Sequence, residues 1–112
     1  MWWPNTPVRT LSEIASVFTE LRSKGEAALI GFITAGDPRP EATPQIAQAL
    51  LDGGVDILEI GIPFSDPIAD GPTIQASVQR ALTAGTNPHL VFDLIHEIKE
   101  SRAAHHPLVI LT

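Results

Sequence analysis

Cysteine is absent from this 112-residue chain, which excludes disulfides, thiolate nucleophiles and cysteine-based zinc or iron–sulfur sites. The fold must rely on packing. Also missing is any basic run: seven Lys and Arg stand against thirteen Asp and Glu, a net charge of −6, and nothing could neutralise a string of phosphates. Nucleic acid is therefore not an expected partner. The longest apolar runs, such as Ala27 to Ile30 and Leu108 to Leu111, are far too short to cross a bilayer, and Met1-Trp2-Trp3-Pro4 lacks the charged and apolar regions of a secretory signal. No membrane association and a cytoplasmic location are the expectations. Gly31, Gly36, Gly53 and Gly54 match neither a dinucleotide nor a P-loop pattern, so no cofactor is indicated. The histidines lack HxxxH or HxH spacing, with His89 and His96 seven apart and His105-His106 in a following loop, so no metal site is expected. Repeats, low-complexity tracts and linkers are missing too, and residues 1–112 read as a single domain.

What is present suits a folded protein. A chain of this length buries roughly 65% of the surface its unfolded form exposes, and 44% hydrophobic with 18% charged residues is ordinary globular composition. Thr10 and Glu13 have capping-box spacing, and Leu11, Ile14, Phe18 and Leu21 share one helical face up to Lys24-Gly25. Ala27 to Ile33 reads as a buried strand ended by Ala35-Gly36-Asp37-Pro38. A helix begins between Pro40 and Pro44, packs through Ile46, Ala49 and Leu50, and ends at Gly53-Gly54. Val55 to Ile60 is a second strand with an irregular outgoing loop, Gly61 to Gly71. Two helices follow, one facing inward through Ile74, Val78, Ala81 and Leu82, the other starting at Asn87-Pro88 and carrying Leu90, Val91, Leu94, Ile95 and Ile98, with Arg102 in or near its last turn. Leu108 to Leu111 is a third strand. Apolar strands separated by amphipathic helices imply an α/β fold with parallel pairing.

Side chains alternate along a strand, which puts Glu59 on an apolar face with Val55 and Ile57, near the strand end where parallel α/β folds bind ligands. A carboxylate so placed suits general acid–base work, although a solvated strand-end glutamate is the plainer reading. Asp70 stands just before Gly71-Pro72, where capping the next helix competes with chemistry. Asp66, between Ser65 and Pro67, could form an Asx-type turn. Phe32 could line a pocket for an aromatic ligand or be plain core.

The stretch Leu58-Glu59-Ile60-Gly61-Ile62-Pro63-Phe64-Ser65-Asp66-Pro67-Ile68-Ala69-Asp70-Gly71-Pro72-Thr73-Ile74-Gln75 resembles the tryptophan synthase alpha family almost residue for residue. Gly31 to Pro38 and Gly53 to Asp56 extend the likeness. Generic barrel units would not reproduce Pro63 to Gly71 together with Glu59. The resemblance implies a (β/α)8 barrel that cleaves indole-3-glycerol phosphate to indole and glyceraldehyde 3-phosphate without a cofactor. By the family pattern, Glu59 is the acid–base residue at indole C3, Asp70 accepts the indole N–H, and Phe32 walls the indole pocket. Asp66 and Pro63 fall in a loop that meets the beta chain, the subunit that uses pyridoxal phosphate to join indole to serine.

Such a barrel needs about 250 residues, and this sequence reaches only a third strand. The family's phosphate-binding loops and its mobile loop have no counterpart here, so substrate would be held poorly by this piece. Three strands would leave two unpaired edges and an uncovered apolar inner face. The expectation is a partial barrel that self-associates or rearranges.

Overall fold

The computed structural model describes residues 13–66, 69–101 and 106–112. The proposed cap Thr10, together with Leu11, Arg102 and His105, lies outside the described residues. The order is α1 (Glu13–Ser23), β1 (Ile30–Thr34), a 3-10 turn (Pro40–Ala42), α2 (Thr43–Asp52), β2 (Ile57–Gly61), α3 (Pro72–Thr83), α4 (Pro88–Glu100) and β3 (Leu108–Leu111). The class is α/β, with the three strands parallel in the order β1-β2-β3. No helix among the described residues is long and apolar enough to cross a membrane.

The two faces of the sheet differ. Leu58 and Ile60 on β2 are fully buried against Ala47 and Leu51 of α2 and Val91 and Ile98 of α4. Each such side chain contributes about 1.5–3 kcal/mol by leaving water, so this helix-covered face is the core. The opposite face carries Ile30, Phe32 and Thr34 of β1 beside Ile57, Glu59 and Gly61 of β2, paired residue for residue. On β3, Val109 and Leu111 stand opposite Glu59 and Gly61. This second face is only partly covered, with Ile30 49% and Leu111 41% exposed.

Several expected boundaries move. β1 starts at Ile30 rather than Ala27 because it pairs with β2, whose ladder opens at Ile57. Below that point Asp56 clamps the pair: its carboxylate accepts from Leu29 N at 2.9 Å and its own N–H donates to Leu29 O at 2.8 Å. In α2 the buried row is Thr43, Ala47 and Leu51, flanked by half-buried Ile46 and Leu50. Ala49, expected on the packing face, is exposed. It lies about 200° around the helix from Ala47. On α1 only Leu21 is buried, while Ile14 and Phe18 are each 41% exposed, so its apolar stripe is not covered along its length. Asn87 does cap α4, its side-chain oxygen accepting from Leu90 N at 2.9 Å.

α3 takes an unexpected path. A helix that directly follows β2 would ordinarily cover the sheet behind it, but α2 and α4 occupy that face. Instead α3 packs against β1, near its carboxyl end.

Candidate functional site

The carboxyl ends of the strands and the start of α3 enclose a cavity of about 170 Å3. Phe32, Thr34, Gly61 and Leu111 line it from the sheet, Phe64 and Asp70 from the loop, and Ile74 and Val78 from α3. An apolar cavity of ~150 Å3 is enough to take up benzene, so this space suits one aromatic ring system. Its lining is mostly hydrophobic, with Asp70 the single charged side chain among these residues.

Phe32 and Asp70 are therefore brought together, although they are far apart in sequence. Glu59 is not in the cavity lining. It is half-buried, pairs directly with Phe32 across the strands, and shares the same face two residues before Gly61. At a rise of about 3.3 Å per residue, it lies about 7 Å deeper along β2 than the cavity's Gly61 edge. Phe32 and Asp70 thus share the cavity, and Glu59 stands beside Phe32 in the strand register, deeper along the same face of the sheet.

The competing reading of Asp70 as a helix cap does not hold. The N-cap of α3 is Gly71, with no side-chain cap hydrogen bond. Asp70 takes part through its backbone instead: its carbonyl accepts from Gln75 Nε2 at 2.6 Å. The residue itself is half-buried and lines the cavity.

Along the loop, Pro63 is buried, whereas Phe64, Ser65 and Asp66 are exposed, Phe64 by 46%. Asp66 thus offers a surface and Pro63 does not. Among the described residues no group of three or more His, Asp or Glu gathers as a metal site. His96 lies 3.1 Å from Glu100, one turn along α4.

Sequence reasoning passed over two kinds of contributor. Gly61 is one: a Cβ there would lie 2.9 Å from Phe32 Cζ, so the missing side chain is what lets the ring rest across β2. The signal was parity, since Gly61 follows Glu59 by two and must face the same way. The other is the polar seam between β1 and α3. Thr34 and Ser77 hydroxyls meet at 2.7 Å in a buried contact, and Arg80 donates to both carboxylate oxygens of Asp37 at 2.7 and 3.0 Å. The hydrogen bond to Asp37 raises the pKa of the Arg80 guanidinium above its ordinary value. No local sequence pattern reports a pairing across 43 residues.

Comparison with known proteins identifies relatives. The family model described as "Tryptophan synthase alpha chain" matches residues 18–112. The tryptophan synthase alpha chain of Halorhodospira halophila is 51% identical over 90 residues, covering 80% of this chain and 33% of the relative. That of Methanosarcina acetivorans is 57% identical over 83 residues, covering 74% of this chain and 30% of the relative. The crystal structure of tryptophan synthase subunit alpha from Legionella pneumophila superposes with a TM-score of 0.85 at 34% identity, covering 90% of this chain and 38% of that one. A tryptophan synthase structure from M. tuberculosis gives 0.81 at 34% identity, covering 90% and 39%. The chain spans about a third of the length of the curated relatives it matches. By this likeness, the parallel strands and preceding helix are the N-terminal part of a (β/α)8 barrel.

Proposed function

We propose a function from one premise, that the chain belongs to the tryptophan synthase alpha chain family: in its complete form it cleaves indole-3-glycerol phosphate to indole and glyceraldehyde 3-phosphate. The reaction is a retro-aldol carbon–carbon cleavage in tryptophan biosynthesis, carried out in the cytoplasm without a cofactor. Residues 1–112 contribute one partial barrel domain to it.

The reading is carried by one arrangement: an aromatic wall and a carboxylate share a ring-sized cavity, and a second carboxylate is paired in register with that wall. Indole stacks against Phe32. Glu59 delivers a proton to indole C3, which places positive charge on the ring nitrogen. Asp70 accepts the N–H hydrogen bond and stabilises that charge as it develops, an electrostatic contribution that grows toward the transition state. Glu59 then takes the proton of the glycerol hydroxyl as the C–C bond breaks, and the bonding electrons return to the ring. One proton is given and one taken, so the carboxyl group begins and ends protonated and is a carboxylate only in between. The exposed Asp66 surface meets the beta chain, to which indole passes, and buried Pro63 sets the path of the loop behind it.

The experiment turns on the N–H. In the complete chain, Asp70→Asn slows cleavage of indole-3-glycerol phosphate, whereas an N-methylindole analogue, which has no hydrogen to offer, is already slow and gains no further sensitivity to the substitution. Equal sensitivity of both substrates to Asp70→Asn would contradict the assigned role.

A second reading applies to the 112-residue piece by itself. Ile30, Phe32, Ile110 and Leu111 are 37–49% exposed on the two outer strands. Unpaired edges and apolar surface of this kind favour association with a second copy. Light scattering over a concentration series would detect it, and a monomer at every concentration would refute it.

A further inference from the structure

The loop that carries Asp70 does not fix that residue by itself. Its backbone rides on the first turn of α3 through Gln75, whose side chain donates to Asp70 O at 2.6 Å and whose N–H donates to Gly71 O at 2.9 Å. Wherever α3 sits, Asp70 follows. The apolar residues Ile74, Val78 and Ala81 hold the helix down, but hydrophobic contact is non-directional and leaves its position along β1 weakly set.

Direction comes from the polar seam. Ser77 Oγ donates to Ile74 O at 2.7 Å, and a serine hydroxyl has one hydrogen, so in the buried 2.7 Å contact Thr34 is the donor and Ser77 the acceptor. About one turn further along α3, Arg80 forks onto Asp37. A bidentate guanidinium–carboxylate pair restrains angle as well as distance. Asp37 is itself tied to the end of β1, its N–H donating to Thr34 O at 3.3 Å. One anchor, Thr34, therefore lies on the strand that carries Phe32, and the other, Asp37, in the turn that directly leaves it.

We propose that Thr34–Ser77 and Asp37–Arg80 form a two-point clamp that seats α3 on β1 and so holds the Asp70 carboxylate opposite Phe32, making Ser77 and Arg80 positioning residues for the cleavage reaction. The proposal rests on the role given to Asp70 above. One anchor would allow α3 to pivot; two fix its direction. Displacements near 1 Å at a reacting geometry can cost on the order of 100-fold in rate, and loosening one of two anchors is worth about tenfold in kcat.

The test is a double-mutant cycle in the complete chain. Arg80→Ala and Ser77→Ala each lower kcat about tenfold with little change in thermal midpoint, and Arg80→Lys, which keeps the charge but not the fork, recovers part of the loss. In an Asp70→Asn background the same substitutions cost nothing further, because the group they position has gone. The clamp is refuted if either loss is undiminished in that background, or if Arg80→Ala leaves kcat unchanged. A silent Asp70→Asn substitution would overturn the reading of Asp70 itself, an outcome separate from additivity. If Ser77→Ala fails to fold, the exposed Arg80 arm of the cycle still decides.

Discussion

Gly61→Ala is a small change with a large expected effect on the site. The added methyl would stand 2.9 Å from Cζ and 3.1 Å from Cε2 of Phe32, where carbon atoms prefer about 3.5–4.0 Å. One partner must withdraw by about 0.6–1 Å. The backbone at Gly61 is paired on both sides, to β1 and to β3, whereas Phe32 is 37% exposed, so the ring moves and the strand stays. Stability should change by less than about 1 kcal/mol, since alanine suits a strand no worse than glycine. The Phe32 ring, proposed as the indole wall, however, shifts by nearly an ångström. In the complete chain kcat/KM for indole-3-glycerol phosphate should fall about 10- to 100-fold, measured by indole release, with the thermal midpoint nearly unchanged. Shortening the ring in the same chain, Gly61→Ala with Phe32→Leu, should return part of the lost activity. An unchanged kcat/KM in the single variant would refute the claim that Gly61 exists to admit the Phe32 ring.

Other substitutions probe the frame around the site. Leu58→Ala empties a fully buried position in the helix-covered core and should cost about 3 kcal/mol by urea denaturation of the complete chain. Asn87→Ala removes the cap of α4 and should cost about 1 kcal/mol in the same measurement. At Gly36, φ is +89° and a Cβ would run into the Thr86 side chain, so Gly36→Ala should lose about 2 kcal/mol or more, of which Thr86→Ala restores only the steric part.

The elements whose signals are local were legible in the sequence. β3 spans Leu108–Leu111 as its bounded apolar run implied, and Asn87-Pro88 marked the start of α4 because a cap and a helix-compatible proline act within one turn. Glu59 was placed on its face by alternation alone, and the buried pair Leu58 and Ile60 on the other side bears that out, whereas Val55, expected beside Glu59, lies before the strand begins and joins the core of Leu58 and Ile60. What could not be read depends on distant partners. The start of β1 is set by β2, and the buried row of α2 is set by what it meets, not by the spacing of its own apolar residues. The crossing of α3 to β1 rests on Thr34–Ser77 and Asp37–Arg80, pairings with no signature in either segment. Asp70 changed most. Its neighbours Gly71-Pro72 made a capping role as plausible as chemistry, and the cap geometry at Gly71 removes the capping role.

The central claim is that the inner face of β2 carries the group that moves the protons of carbon–carbon cleavage. Indole release from indole-3-glycerol phosphate by the complete chain bearing Glu59→Gln tests it most directly, with circular dichroism to verify folding. Glutamine keeps the shape and removes the titrating oxygen, so the account predicts a loss of about 100- to 10,000-fold in kcat, the range of general acid–base catalysis. Release at the unsubstituted rate from a folded Glu59→Gln chain would contradict it.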